Sequence, residues 1–287
     1  MSPASPRAAA SALQVRRAGV SIGGDEGRFS MLTYNVAGLP QLISGSDPAV
    51  NLALVSPLLN HYDLVLVQED FAYHEELAAR ALHEYRSEPM RDRHAFMPDG
   101  LNRFSRFALG WVHRVRWARC SGYLGSASDC LADKGFSFSQ VTLADGLSVD
   151  VYNVHAEAGS RPGDVAARRS NFEQLARYLA DRSEGRPVIV AGDSNLRMSI
   201  PGDAATLSWF LGVTGLDDAC RSFGCGEERL DRVLLRGSGH VALRVLGWWT
   251  DRRFVDPEGS ALSDHPAVGV ELGWERQGEP PLVAVGG

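Results

Sequence analysis

No apolar run in this chain reaches the ~20 residues that a membrane-spanning helix requires, so a soluble or peripheral protein is expected. No internal repeat is present, which argues against solenoid and propeller architectures. Residues 1–28 lack the apolar stretch of a signal peptide and read as a flexible tail rich in Ala, Ser, Pro and Arg. Lysine is nearly absent, Lys134 being the only one. Positive charge is scarce as well: the formal charge is −6, and the +2 of residues 1–28 (four Arg against Asp25 and Glu26) leaves −8 for the remainder. That balance opposes broad neutralisation of a nucleic-acid backbone, although a local basic groove stays open. Only four cysteines occur, as two close pairs, Cys120 with Cys130 and Cys220 with Cys225. The spacing fits two small disulfide loops, which would point to a secreted or cell-envelope protein; four free thiols in a cytoplasmic protein is the alternative. A structural zinc site is disfavoured because neither pair has C-x2-C spacing.

What is present is a regular alternation of strands and helices. The 287 residues, 44% hydrophobic, can bury a substantial core. Ser30 to Asn35 reads as a first strand, and Asp47-Pro48 as a helix start carrying Leu52, Val55 and Leu59 on one face, with Pro57 limiting its length. A second strand, Asp63 to Gln68, ends in Glu69 and Asp70. An amphipathic helix is expected from His74 to Tyr85 with Leu77, Ala81, Leu82 and Tyr85 inward. Interleaved Arg and aromatic residues from Arg103 to Arg119 suggest strands exposed on one face. Phe136 to Leu143 and Leu147 to Val154 form a hairpin around Ala144-Asp145-Gly146, followed by a helix from Asp164 to Asp181. Val188 to Ala191 is a buried strand that turns at Gly192 and delivers Asp193 and Asn195. A helix from Ala204 and strands at Arg229 to Leu235, Val241 to Trp248 and Pro266 to Leu272 complete the order. Hairpins mixed with strand-helix-strand units fit two mixed sheets packed face to face with helices outside.

Five segments place polar groups at strand ends: Asn35, Glu69, His155, Asp193, and the run Ser263-Asp264-His265-Pro266 just before a strand. Rigid sheets hold such groups at fixed positions. The ordered set TYNVAG (33–38), QE (68–69), SR (105–106), GDSN (192–195), LD (230–231) and SDHP (263–266) resembles the endonuclease/exonuclease/phosphatase superfamily, the DNase I-like fold. The likeness covers Phe29 to Trp274. Within it the chain is most similar to bacterial-type neutral sphingomyelinases, through DKGFSF (133–138), VHAEAG (154–159) and the pattern Arg169, Asn171, Gln174, Leu175.

The resemblance implies a four-layer α/β sandwich at 29–274 with tails at 1–28 and 275–287. It implies a monomeric Mg2+-dependent phosphodiesterase, with Mn2+ or Ca2+ as alternatives, acting on a phospholipid headgroup and touching the membrane peripherally. A nuclease of the same fold, with Arg103, Arg106, Arg114, Arg116 and Arg119 lining a groove, is the second reading, and a silent binding protein the third. Breaking a phosphodiester requires neutralising phosphoryl charge, deprotonating water and stabilising the leaving alkoxide. Glu69 is a hard oxygen ligand for the metal, Asn35 a neutral oxygen beside it, and Asp264 completes the shell or positions its waters. His265 has a general base's reference pKa, and the resemblance implies that Asp231 orients it. Asp193 orients the water or takes its proton, and Asn195 and His155 donate to phosphoryl oxygens. Which of Asp193 and His265 accepts the proton stays open. Lys134 and Arg106 are further candidates; His61, His74, His83, His94, His113 and His240 read as surface or helix histidines. Trp248 and Trp249 read as strand packing with one ring exposed, an interfacial pair being the alternative.

Overall fold

Period-two burial organises the molecule. In a computed structural model, which describes residues 24–42, 44–90, 97–122, 130 and 132–278, the first strand is β1 (Glu26–Asn35). Its Phe29 and Met31 point into one buried cluster while Leu32 and Tyr34 point into another. The same alternation recurs in β2 (Leu64–Gln68), β8 (Leu147–His155), β9 (Val188–Asp193) and β11 (Asp231–Arg236). Strands buried on both faces need apolar residues at every position, which is why Val188–Ala191 reads as a continuous apolar run.

Two sheets result. One has the order β12-β13-β1-β2-β4-β3, adding β12 (Val241–Thr250), β13 (Val268–Arg276), β4 (Asn102–Ser105) and β3 (Tyr85–Arg86). The other has the order β10-β11-β9-β8-β7-β5, with β10 (Asp217–Asp218), β7 (Gly135–Ala144) and β5 (Ala108–Leu109), and with β6 (His113–Arg116) also on β7. Only β1–β2 and β8–β9 pair in parallel among the described strands. Phe29, Met31, Leu64, Val151, Ile189 and Val233 fill the space between the sheets. Two helices, α1 (Pro48–Leu58) and α2 (His74–Ala78), cover the first sheet; α3 (Pro162–Arg182) and α4 (Pro201–Thr214) cover the second. The four-layer sandwich is the architecture expected.

Local chemistry explains the helix ends. Asp47 caps α1 by accepting from Val50 N–H at 3.3 Å. Pro57 cannot donate to the Ala53 carbonyl, and Arg80 Nη2 fills that acceptor from outside at 2.8 Å. The helix expected from His74 to Tyr85 stops at Ala78. Side chains of the first helical layer capture the chain there: Arg80 N–H donates to Ser56 Oγ at 2.8 Å, and Leu82 N–H to Asn60 Oδ1 at 2.7 Å. Leu77 and Ala81 are buried as expected, but Leu82 is 81% exposed and Tyr85 lies in β3.

The start of the 103–119 segment, residues 103–107, is more buried than its pattern suggests. Arg103 is fully buried and donates to Ser137 O at 2.9 Å and Val151 O at 3.3 Å, joining β4 to the opposite sheet. Arg106 pairs with Asp63, Arg114 with Asp99 and Arg116 with Asp133. Four of the five arginines of the expected groove are thus committed to the protein's own acceptors.

Both cysteine pairs are bonded, Cys120–Cys130 and Cys220–Cys225, and no cysteine is free among the described residues. β1 starts at Glu26 and β13 ends at Arg276, inside stretches read as tails; most of both tails, and His94, lie outside the described residues. Trp248 packs against the inter-sheet cluster and Trp249 against the helix-side one, as strand alternation requires, but both are partly buried and neither ring is exposed as expected. No helix among the described residues is long and apolar enough to cross a membrane.

Candidate functional site

The alternation that builds the core also builds the site. Asn35 continues the inter-sheet face of Phe29 and Met31; His155 continues Val149 and Val151; Asp193 continues Ile189 and Ala191; Asp231 opens the face of Val233 and Leu235. At the ends of β1, β8, β9 and β11 these positions turn polar together. Register aligns them, with His155 opposite Asp193 and Asp231 opposite Asp193. Gly192 is required for this: at φ 145°, a Cβ there would lie 2.0 Å from the Val154 carbonyl oxygen of β8.

Glu69 breaks the alternation. Period two would send it to the helix side with Val65 and Val67, but its φ of 57° turns it toward the inter-sheet mouth. Ala37 and Asn195 are the other non-glycine residues with positive φ among those described, and both flank the same mouth. Each such conformation costs on the order of 1–3 kcal/mol, offset by surrounding contacts. Val36 N–H, donating to Gln68 O at 2.9 Å, and Gly38 N–H, donating to Glu69 O at 3.0 Å, hold the turn.

The polar groups form a chain across both sheets. His265 Nδ1 and Asp231 Oδ2 are 2.9 Å apart, and His265 Nε2 lies 3.7 Å from Asp193 Oδ2. Asn35 Nδ2 donates to Asp193 Oδ2 at 3.3 Å and to Glu69 Oε1 at 3.0 Å. His155 Nε2 stands 3.5 Å from Asp193 Oδ2 and 3.6 Å from Glu69 Oε1. Asn195 N–H donates to Asp193 Oδ1 at 3.0 Å, and its amide Nδ2 to Ala156 O at 3.1 Å. Asp264 is the outlier, exposed at the rim, while the neighbouring Ser263 Oγ donates to the Asn35 carbonyl at 2.7 Å. Asn35 presents nitrogen rather than oxygen to the carboxylates, because its Oδ1 accepts from Ala37 N–H at 3.1 Å.

Burial pushes the Glu69, Asp193 and Asp231 carboxyls up, Asp193 to about 6. Burial alone would lower His265, but the Asp231 bond and the charges of Asp231, Asp193 and Asp264 together raise it to about 9. Burial, then the charges of Lys134 and His265, hold His155 neutral, well below the usual histidine range. Lys134 also lowers Glu69 and Asp193, so its charge reaches the centre of the site. The pattern is that of a site rich in negative charge that draws a proton onto His265. Asp193, Asp231 and His265 bring ligand atoms within 4.8 Å of one another, and the buried Asp231 Oδ1 has no hydrogen-bond partner. Glu69, with the Asp193 and Asp231 carboxylates nearby, gives the mouth the oxygen donors that a hard divalent cation takes; the protonated His265 is not one of them.

Sequence reasoning missed the layer beneath. Gln68 Nε2 donates to Asn153 Oδ1 at 2.7 Å and Thr33 Oγ1 at 3.1 Å; Asn153 Nδ2 donates to Val67 O at 2.9 Å and Asn102 O at 3.1 Å. Asn153 has a signal in hindsight, a lone amide at an inward position of a buried strand. Asp70, buried behind Glu69, takes Asn102 Nδ2 at 2.8 Å and His74 Nδ1 at 2.5 Å. Trp117 Nε1 donates to the His155 carbonyl at 2.7 Å. His83 proves to be a core histidine against Tyr62 O, burial lowering it to about 4.

The sequence matches the family model described as the endonuclease/exonuclease/phosphatase family over residues 32–265. It is 34% identical over 266 residues to a sphingomyelinase of Mycobacterium tuberculosis, covering 84% of this chain and 52% of that protein. The chain thus spans about half the length of this relative. Among solved structures, a beta toxin variant of Staphylococcus aureus with bound magnesium ions matches with a TM-score of 0.63 at 14% identity, covering 84% of this chain and 98% of that one. D. rerio TDP2 complexed with a single-strand DNA product matches with a TM-score of 0.63 at 17% identity, covering 85% and 98%. At such identities the structural likeness establishes the fold.

Proposed function

The chain belongs to the endonuclease/exonuclease/phosphatase family, and from that premise we propose that it is a divalent-metal-dependent phosphodiesterase acting on a sphingomyelin-like phospholipid. The observation that carries the reading is the continuous run from Asp231 through His265, Asp193 and Asn35 to Glu69 across the mouth of two sheets. The 34% identity to a sphingomyelinase supports the lipid substrate. The commitment of Arg103, Arg106, Arg114 and Arg116 to internal acceptors weighs against a strand-gripping groove.

A divalent cation, Mg2+ first and Mn2+ or Ca2+ as alternatives, would be held by Glu69 together with Asn35 and Asp264; when bound it would supply charge neutralisation at the phosphoryl group. The chain's own residues do the rest. Asp231 fixes the His265 ring through Nδ1 and leaves Nε2 facing the reacting centre. Asp193, raised by burial, is a stronger base than an ordinary carboxylate; it orients the attacking water and takes its proton. His265, kept cationic by its carboxylates, donates Nε2–H to the phosphoryl group; as the water oxygen bonds to phosphorus the P–O bond to the lipid breaks, and the lipid oxygen leaves as an alkoxide that takes up a proton from solvent. His155 and Asn195 offer neutral donors to the other oxygens, and the Lys134 charge adds to the positive field.

The test is phosphocholine release from sphingomyelin liposomes with Mg2+ and with EDTA, beside phosphatidylcholine, plasmid DNA and bis-p-nitrophenyl phosphate. Metal-dependent release from sphingomyelin is expected. No release under conditions in which plasmid DNA is cut would replace the lipid reading with the nuclease one.

A further inference from the structure

The helix-facing side of the second sheet carries a polar arrangement that the catalytic mouth leaves unused. Along β11, Val233 and Leu235 face the inter-sheet space, whereas Arg232 and Leu234 face the helices. Arg232 is only 3% exposed. It shares one carboxylate oxygen, Asp218 Oδ2, with Arg229, the Arg232 Nη1 contact being 3.0 Å. The Nε atoms of both arginines are buried with no hydrogen-bond partner. Burial and then the Arg229 charge disfavour the Arg232 cation. Main-chain carbonyls take further donors, Glu227 O from Arg232 Nη2 at 3.2 Å and Gly226 O from Arg229 Nη1, but Asp218 is the one carboxylate bonded to the two guanidinium groups, and an anion entering beside them would add a second.

The space for that anion exists. Both guanidinium groups line a cavity of about 600 Å³ whose other wall is Met198, Leu207 and Leu211. The Cys220–Cys225 disulfide closes its polar end. Met198, Leu207, Leu211 and Arg221 also line an adjoining cavity of about 540 Å³ that reaches Gly215, so one groove follows α4. Glu227 and Arg221 line the first cavity too; Arg221 is paired with Asp217 of the adjoining cavity, which leaves Arg229 and Arg232 against Asp218 at the polar end. A groove with an anion-seeking end and an apolar length has the polarity of a single-chain amphiphile.

We propose that the groove between β11 and α4 binds a single-chain anionic amphiphile, its carboxylate or phosphate on Arg229 and Arg232 and its tail along Met198, Leu207 and Leu211. Arg's planar fork suits either head group. The site is separate from the catalytic mouth, on the opposite face of the sheet, and its ligand is not the substrate.

Calorimetric titration of the full, metal-free chain tests this with decanoate below its micellar concentration, decyltrimethylammonium and inorganic phosphate. Decanoate should saturate at one per chain and bind at least tenfold more tightly than either of the other two. Arg229→Gln and Met198→Glu should each weaken decanoate at least tenfold, with thermal unfolding reporting which variants are folded. Decanoate no tighter than the cationic or the tail-less probe overturns the proposal, as does unchanged affinity in either folded variant. Binding is read without turnover, so its failure is distinct from failure of the phosphodiesterase reading.

Discussion

His265 Nδ1 sits 2.9 Å from Asp231 Oδ2, and the two residues belong to different sheets: Asp231 opens β11, whereas His265 precedes β13. The bond therefore fixes the imidazole and bridges the mouth of the sandwich at once. Asp231→Asn keeps the shape but loses the anion that charges and orients the ring. Turnover should fall about 100-fold or more, with KM nearly unchanged and thermal unfolding within a few degrees of wild type. Steady-state kinetics on sphingomyelin liposomes measures it, and wild-type kcat would remove Asp231 from the mechanism.

Glu69 is held at φ 57° with one oxygen on the Asn35 amide. Glu69→Gln retains the size and removes the charge needed for a divalent cation, and is expected to abolish turnover while leaving unfolding close to wild type. Its Mg2+ titration should show no saturable rescue in the range that restores the EDTA-treated wild type. His265→Ala should be equally inactive at every metal concentration.

The site's pH dependence has an unusual sign. The folded His265 pKa, about 9, lies above its unfolded value near 6.5. Its contribution is fully present below pH 6.5 and is lost as pH rises through 9. Metal-free protein should thus lose urea stability across that window, and His265→Gln should flatten the loss. His83 and His155, both depressed, act below pH 6.5 and leave this window clear. Equal slopes for wild type and His265→Gln in EDTA would refute the assignment.

Arg103 is a buried guanidinium satisfied largely by the opposite sheet, with Ser137 O, Ser137 Oγ and Val151 O as acceptors. Arg103→Ala strands those acceptors and leaves a cavity. Chemical denaturation should show a loss of about 3 kcal/mol or more. Arg103→Met, which refills the volume, should recover part of it. A loss under 1 kcal/mol for the alanine variant would mean that water replaces the guanidinium.

The sequence makes legible whatever follows from period and capping. Val188–Ala191 read as a buried strand, Asp47-Pro48 as a helix start and Asp164 to Asp181 as a helix core, because each signal is local. The helix after His74 was overextended since Ser56 and Asn60, roughly 20 residues earlier in the chain, decide where it stops. Arg103 misled for the same reason: an arginine in an alternating stretch looks solvent-facing until the other sheet supplies carbonyls for it. Motif resemblance named Asn35, Glu69, Asp193, Asp231 and His265, which the fold brings into one chain of contacts. The resemblance could not foresee that Ala37 N–H would turn the Asn35 amide nitrogen toward the carboxylates, nor that Asp264 would lie exposed at the rim.

The strand that closes the first sheet is the last described one in the chain, β13, and it lies inside the sheet, between β12 and β1. Its pairing with β1 joins Thr33 to Val268, a separation of 235 residues. Until β13 arrives, neither the Ser263 Oγ bond to the Asn35 carbonyl nor the His265 bond to Asp231 can form. Loops of that length close late, and a growing chain gains these contacts only when synthesis has passed β13. Turnover would then switch on only once β13 has been made and paired, which makes it a direct reporter of a completed first sheet.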